Sequence, residues 1–357
     1  MSYIFFYLLL TPYNYGASRA CETLVMNKRI YITLVIILTC LLRLKASADS
    51  NFHIYLCFGQ SNMEGNAQWE ACDEEAIDPR FQMLATTDFE TPKRTTGNWY
   101  TATCPIVSPV GKLGPTDYFG RTMVAYLPQE VKVGVVAVAI GGCNILMFDK
   151  DQYTTYANED SWSGILARNV YGGNPYQRLI DMAKEAQKVG VIKGILLHQG
   201  CSNCGDPLWP EMVKKIYNDI LTDLNLNAED VPLLAGETER EDMGGGCSYH
   251  NTVIAKLPEV IPNSYVISSE GIPGNDKDHW HFSAAGYREL GKRYAKKMLE
   301  IEGIDITRKP TTEINELNIT QKITNNYIYT LSGCRVENKN MAPGIYIKNR
   351  KKYIIRK

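Results

Sequence analysis

The sequence has almost no excess charge. Its 38 Lys and Arg stand against 39 Asp and Glu in 357 residues, a net charge of −1. That balance offers no basic field for nucleic acid or an acidic membrane, and a neutral substrate fits it better. Cysteine is sparse: ten residues, scattered along the chain, exclude a small disulfide-stapled scaffold. The Gly-x-Ser-x-Gly elbow of one large hydrolase class is missing. No Lys-Ser or Lys-Thr pair follows Gly244-Gly245-Gly246, so that run reads as a flexible loop and not a phosphate cradle. No internal repeat is found. Apolar residues, by contrast, make up 45% of the chain, enough for one sizeable filled core and an appendage.

The amino terminus reads as a targeting segment. Met26-Asn27-Lys28-Arg29 is a basic start, residues 30–42 are an apolar run too short to span a membrane comfortably, and Ala46-Ser47-Ala48 offers small residues where a signal peptidase reads. Cleavage is expected after Ala48, with Met26 a candidate true start and residues 1–25 foreign to a signal peptide. The expected product is secreted, periplasmic or on the cell surface, with no stable membrane insertion. The alternative is an uncleaved anchor.

Beyond residue 50, apolar β-branched runs at 52–58, 131–139, 191–198, 231–235 and 264–268 predict strands, four of them ending at glycine. Helical patterns at 118–127, 175–189, 210–224 and 284–300 separate them. Strands alternating with helices predict an α/β, doubly wound, flavodoxin-like domain with a central parallel sheet. Residues 66–115 lack a clear period and are expected to wall a functional cleft. Within them, Cys72 and Cys104 are either a disulfide or two buried thiols. After Gly303 the pattern changes. Strand-like runs at 327–331, 344–347 and 353–355 predict a small C-terminal β extension, residues 304–357, set apart from the main domain of residues 49–303. The extension is either a sorting module or a β unit packed on the main domain.

Chemistry-bearing residues follow the strand ends, where open α/β sheets build their sites. Gly59-Gln60-Ser61-Asn62-Met63 places a serine on the tight turn after the first strand. Gly141-Gly142 follows the second and lets a backbone N–H approach an oxyanion. His198-Gln199-Gly200 follows the third, with Asn203 close by, and Gln199 is a further oxyanion donor candidate. Asp278-His279-Trp280-His281-Phe282 precedes the last helix, and an aspartate three residues before a histidine can reach its Nδ1 and leave Nε2 for a serine. Without the other motifs, Ser61 reads as a helix cap, and Trp69, Trp99, Trp162 and Trp209 read as core as readily as sugar-stacking surface. Cys201-x-x-Cys204, with Cys247 and His250, could be imagined as a zinc or redox site.

Taken together, these motifs resemble the sialate O-acetylesterase and acetylxylan esterase group of SGNH hydrolases, related to carbohydrate esterase family 6, over about residues 52–299. The resemblance implies a three-layer SGNH fold and hydrolysis of acetyl groups from acetylated carbohydrate such as xylan or sialic acid. It implies Ser61 as nucleophile, His281 as base and Asp278 as orienting acid. The N–H groups of Ser61 and Gly142, with Gln199, would form the oxyanion hole, and Gln60, Asn62, Cys201 and Asn203 would neighbour the substrate. No metal or cofactor is called for. One departure stands out: the group usually has a glutamate directly after His-Gln-Gly, and here that position is Cys201. A non-catalytic carbohydrate-binding relative is therefore the alternative. Glu237 is a substitute carboxylate to examine, and Cys201→Glu is expected to raise activity about tenfold.

Overall fold

The computed structural model describes residues 31–32, 48–75, 77–307, 328–330, 335–336, 343–348 and 351–355. The expected leader and its cleavage site lie almost wholly outside these residues. No helix among the described residues is long and apolar enough to cross a membrane.

Seven strands form the main sheet: β1 (Phe52–Gly59), β2 (Phe81–Leu84), β3 (Trp99–Thr101), β4 (Lys132–Ala139), β5 (Val191–His198), β6 (Leu233–Gly236) and β7 (Ser264–Ile267), in the order β3-β2-β4-β1-β5-β6-β7. All neighbours run parallel except β2 and β3. The helices that matter for the site are α1 (Ser61–Glu64), α2 (Pro115–Tyr126), α3 (Trp162–Tyr171), α4 (Pro175–Ala186), α5 (Trp209–Leu224) and α6 (Ala284–Ile301).

The three layers follow from side-chain alternation. On β1, Ile54, Leu56 and Phe58 join the core shared with α3, α4 and α5. Tyr55 and Cys57 point the other way, into the core shared with α2 and α6. Both faces are buried, which is why the strand reads as a continuous apolar run. Each fully buried aliphatic or aromatic side chain contributes about 1.5–3 kcal/mol. Helix starts are set locally. Asn174 accepts the Gln177 N–H at 2.9 Å with Pro175 next in the chain, and Ser283 accepts the Gly286 N–H at 3.1 Å.

The expected α/β doubly wound architecture is present. The aperiodic stretch 66–115 turns out to hold β2 and β3, which extend the sheet, as well as loop. Both strands are very short, and a run of three or four residues shows no readable alternation. A separate four-stranded antiparallel sheet is formed by β8 (Ile328–Thr330), β9 (Arg335–Val336), β10 (Gly344–Lys348) and β11 (Lys351–Ile355), in the order β11-β10-β8-β9.

Cys72 and Cys104 do not form a disulfide; the Cys104 thiol instead donates to Asp117 at 3.4 Å. The bond in the structure joins Cys204 to Cys247, with Cα atoms 6.0 Å apart, and closes 43 residues of chain between the loops after β5 and β6. That spacing carries no sequence signal, since the two loops meet only because β5 and β6 are neighbours. Replacing both cysteines by serine is expected to cost about 2–5 kcal/mol. Urea unfolding checks this, and an unchanged midpoint would show that the bond carries no stability.

Candidate active site

In the sheet, β1 lies between β4 on one side and β5 on the other. The carboxyl ends of these three strands therefore open onto the crevice where the strand order reverses. Ser61 enters this crevice through the turn at Gly59. Gly59 has φ +148°, and a Cβ there would stand 2.2 Å from the His198 carbonyl oxygen, so only glycine lets the two strand ends come this close. Gln60 locks the turn: its N–H donates to the His198 carbonyl at 3.0 Å, and its Oε1 accepts the N–H groups of Gly200 (3.0 Å) and Ser202 (3.3 Å).

His281 arrives from the loop before α6. Its Nε2 lies 2.8 Å from Ser61 Oγ, and its Nδ1 lies 2.9 Å from Asp278 Oδ2. Asp278 Oδ1 accepts the N–H groups of Trp280 (2.9 Å) and His281 (3.0 Å), so the same carboxylate shapes the turn and orients the ring. Burial alone would raise the Asp278 carboxyl, but hydrogen bonds from His281, Trp280 and Asn275 outweigh it and hold it at about 2. The group is therefore ionised across the whole neutral range. It would be neutralised only as pH falls toward about 2, so its protonation contributes no loss of function in mild acid. Asn62 fastens this loop to the nucleophile turn. Its Nδ2 donates to the Trp280 carbonyl at 2.8 Å and its Oδ1 accepts from Tyr287 Oη at 2.6 Å.

The three groups open into a cavity of about 510 Å³ lined by residues that include Ser61, Gly142, Cys201, Trp162, Trp280 and Lys112. Gly142 sits at φ +76° with nothing within 4 Å of where a Cβ would stand, so its backbone borders open space. Ser61 is the first residue of α1, and its N–H has no acceptor within the helix. Two backbone donors can thus face an oxygen atom bound at Ser61.

Gln199 does not join them. Its side chain is buried, and its amide donates to the Cys143 carbonyl (3.2 Å) and Asn203 Oδ1 (2.7 Å), while its oxygen accepts from the Trp209 indole. Both amide hydrogens are spent on the loop, which corrects the expectation of an oxyanion role. Asn203 is likewise structural: its Oδ1 also accepts the Ile145 N–H at 2.9 Å. Asn62 and Asn203 do not line the cavity, whereas Gln60 and Cys201 do. His198, the other histidine of the crevice, places Nε2 3.0 Å from the Glu237 carbonyl; burial keeps it neutral, down at about 4.

Glu237 is not a substitute triad acid, since it pairs with Arg240 at 2.9 Å and accepts the Ser269 N–H at 2.9 Å. The unused carboxylate is Glu239, which sequence reasoning missed. It is 2% exposed, its Oε2 has no hydrogen-bond partner, and burial with the charge of Asp278 pushes it to about 7. Burial raises the Cys201 thiol to about 12, helped by the charges of Glu239 and Asp278. A glutamate at 201 would bring a third carboxylate into this neighbourhood. We therefore revise the expectation for Cys201→Glu: no gain in acetyl-ester turnover, and a loss of up to about tenfold from like-charge repulsion. Initial-rate measurements decide this, and a clear rise would show that the position needs a carboxylate.

Zinc at Cys201, Cys204, Cys247 and His250 does not fit either. Cys204 and Cys247 are bonded to each other, and His250 Nδ1 accepts the Gly205 N–H at 3.1 Å. Two acidic clusters elsewhere already hold a cation of the chain's own: Arg288 crosses Glu70 and Asp73, and Lys215 crosses Asp149, Asp151 and Asp219.

Residues 51–300 match the family model described as carbohydrate esterase, sialic acid-specific acetylesterase. The chain belongs to this family. Among solved structures, this esterase is similar to NanS, with 18% identity, a TM-score of 0.54, and coverage of 72% of this chain and 99% of that one. It is also similar to a protein from Arabidopsis thaliana, with 21% identity, a TM-score of 0.53, and coverage of 71% and 99%. At such identities the structural likeness speaks for the fold of the esterase domain, while the family match makes the chain a carboxylic ester hydrolase acting on carbohydrate.

Proposed function

We propose that the protein is a serine acetylesterase in which Ser61, His281 and Asp278 are the triad. The observation that carries this reading is the unbroken relay from Asp278 Oδ2 through His281 to Ser61 Oγ, at 2.9 and 2.8 Å, on the wall of an open cavity. Neutral His281 takes the Ser61 proton as Oγ attacks the acetyl carbonyl. The N–H groups of Ser61 and Gly142 stabilise the tetrahedral oxyanion. His281 then gives the proton to the departing sugar oxygen, which leaves as a hydroxyl, and water repeats the sequence on the acetyl-enzyme to release acetate.

The cavity walls suit a sugar. Trp162 and Trp280 both line it and are 64% and 50% exposed, which leaves indole faces for the apolar side of a pyranose ring. The other tryptophans are otherwise engaged: Trp209 is fully buried, Trp99 packs on Phe52 with centroids 4.8 Å apart, and the Trp69 indole donates to Glu74 at 3.1 Å. Lys112, an exposed lysine on the same wall, brings a positive charge to it. That charge favours an acetylated acidic sugar such as O-acetylsialate over acetylxylan. The test compares kcat/KM on the two substrates, with an activated acetyl ester as a neutral reference. Lys112→Ala is expected to raise KM for O-acetylsialate about tenfold while sparing the neutral ester, and equal effects on both would remove the acidic-sugar assignment.

We take the amino-terminal segment to be an export leader. The Cys204–Cys247 bond supports this, because such bonds persist mainly in oxidising compartments. Amino-terminal sequencing of the mature protein tests the cleavage site.

A further inference from the structure

We infer that Glu64 is a positioning residue that holds the Gly141-Gly142 turn so that the Gly142 N–H faces the reacting oxygen. The inference rests on the acyl-transfer reading above. Glu64 ends α1, one turn beyond Ser61, and it lines the cavity while only 7% of its surface is exposed. Its Oε2 accepts the Gly141 N–H at 2.9 Å. Its Oε1 accepts from Ser108 Oγ at 2.8 Å, and Ser108 in turn accepts the Gly111 N–H at 3.0 Å.

The turn is gripped on either side of that contact. The Ile140 N–H donates to the Gly59 carbonyl at 3.0 Å, and the Gly142 carbonyl accepts from Ser202 Oγ at 2.9 Å. The Gly141 N–H is therefore committed to Glu64 and the Gly142 carbonyl to Ser202. What remains of the turn for a substrate oxygen is the Gly142 N–H. Two glycines in sequence have no side chains to fix their own backbone, so the orientation must come from these outside contacts. A Cβ on Gly141 would stand 3.1 Å from Glu64 Oε2 and 3.8 Å from Ser61 Cβ, which shows how closely carboxylate, turn and nucleophile are packed.

A fully charged carboxylate beside a developing oxyanion would oppose it. Burial lessens that conflict by pushing Glu64 up to about 7, against the hydrogen bonds from Ser108 and Gly141. Contact with Gly141 survives protonation, since the carbonyl oxygen of a neutral carboxyl still accepts while its hydroxyl can turn to Ser108. The role assigned to Glu64 is thus that of an acceptor at a fixed place, and a neutral amide of the same length should perform it.

The experiment measures kcat and KM on a soluble acetyl ester, binding of a boronic acid that forms a tetrahedral adduct with serine, and thermal midpoints, for Glu64→Ala, Glu64→Gln and Glu64→Asp. Glu64→Ala is expected to lose about 10²-fold in kcat with KM within about threefold, because misplacing an oxyanion donor weakens the transition state and not the ground state. Boronate affinity should fall in parallel. Glu64→Gln is expected to recover kcat to within about tenfold of the native protein. A folded Glu64→Ala with near-native kcat overturns the inference, as does Glu64→Gln no better than Glu64→Ala. Should Glu64→Ala fail to fold, Glu64→Asp replaces it: its shorter side chain falls short of Gly141, so it should lose about 10²-fold, and parity with Glu64→Gln would overturn the inference. Ser61→Ala is the control. If it stays active and native protein ignores the boronate, the triad reading fails; if it is inactive while Glu64→Ala is normal, only the role of Glu64 fails.

Discussion

Ser61→Ala and His281→Ala are each expected to lower kcat for acetyl-ester hydrolysis by about 10⁴-fold or more, with circular dichroism and thermal midpoint close to native. In the proposed mechanism the two groups act as one unit. Without Ser61 Oγ there is no nucleophile, and without His281 Nε2, 2.8 Å away, nothing takes the hydroxyl proton. The small residual rate should be similar in the two variants and in the double variant, because removing the second member of a broken unit costs little more. Both side chains are only part-buried and neither anchors the core, so folding is spared. Turnover within about tenfold of native in either folded variant would show that the chemistry runs elsewhere.

Asp278→Asn should cost nearly as much, on the order of 10³–10⁴-fold in kcat, without disturbing the loop. The asparagine oxygen can still accept the N–H groups of Trp280 and His281 that Asp278 Oδ1 now accepts. Its amide nitrogen then meets His281 Nδ1 as a donor. The ring responds by carrying its proton on Nε2, facing Ser61, where it can no longer accept the serine proton. The loss is therefore one of tautomer and not of position, and KM should change little. Asp278→Ala would confound the two by removing the turn contacts as well. If Asp278→Asn keeps near-native kcat, the orienting acid is another group, and Glu239, buried beside Asp278 with an unpartnered oxygen, is the next to replace.

At Cys201 the local motif and the folded neighbourhood point in different directions. Read along the chain, a thiol stands where a carboxylate is usual in the resembled group. In space, Glu239 already brings a carboxyl into electrostatic reach of both Cys201 and Asp278. The two residues lie on loops after different strands, and nothing in their spacing announces the meeting. The same holds for Lys112, for Trp280 as a cavity wall, and for the disulfide partner of Cys204.

What the amino-acid sequence determined by itself was five of the seven strands of the main sheet, the four long helices α2, α4, α5 and α6 that separate them, and the placement of Ser61, Gly142, Asp278 and His281 at chain turns. Those features are local. A β-branched run buried on both faces, a glycine at a turn that needs it, and an aspartate three residues before a histidine are each written within a few residues. Tertiary structure alone decided which polar groups distant in sequence find one another. Gln199 spends its amide on Cys143 and Asn203 and not on substrate, Glu64 reaches 77 residues along the chain to Gly141, and Cys204 bonds to Cys247, 43 residues away. A buried donor or acceptor must be matched by whatever partner the packing of strands and loops brings within about 3 Å, and that match has no period in sequence from which it could be read.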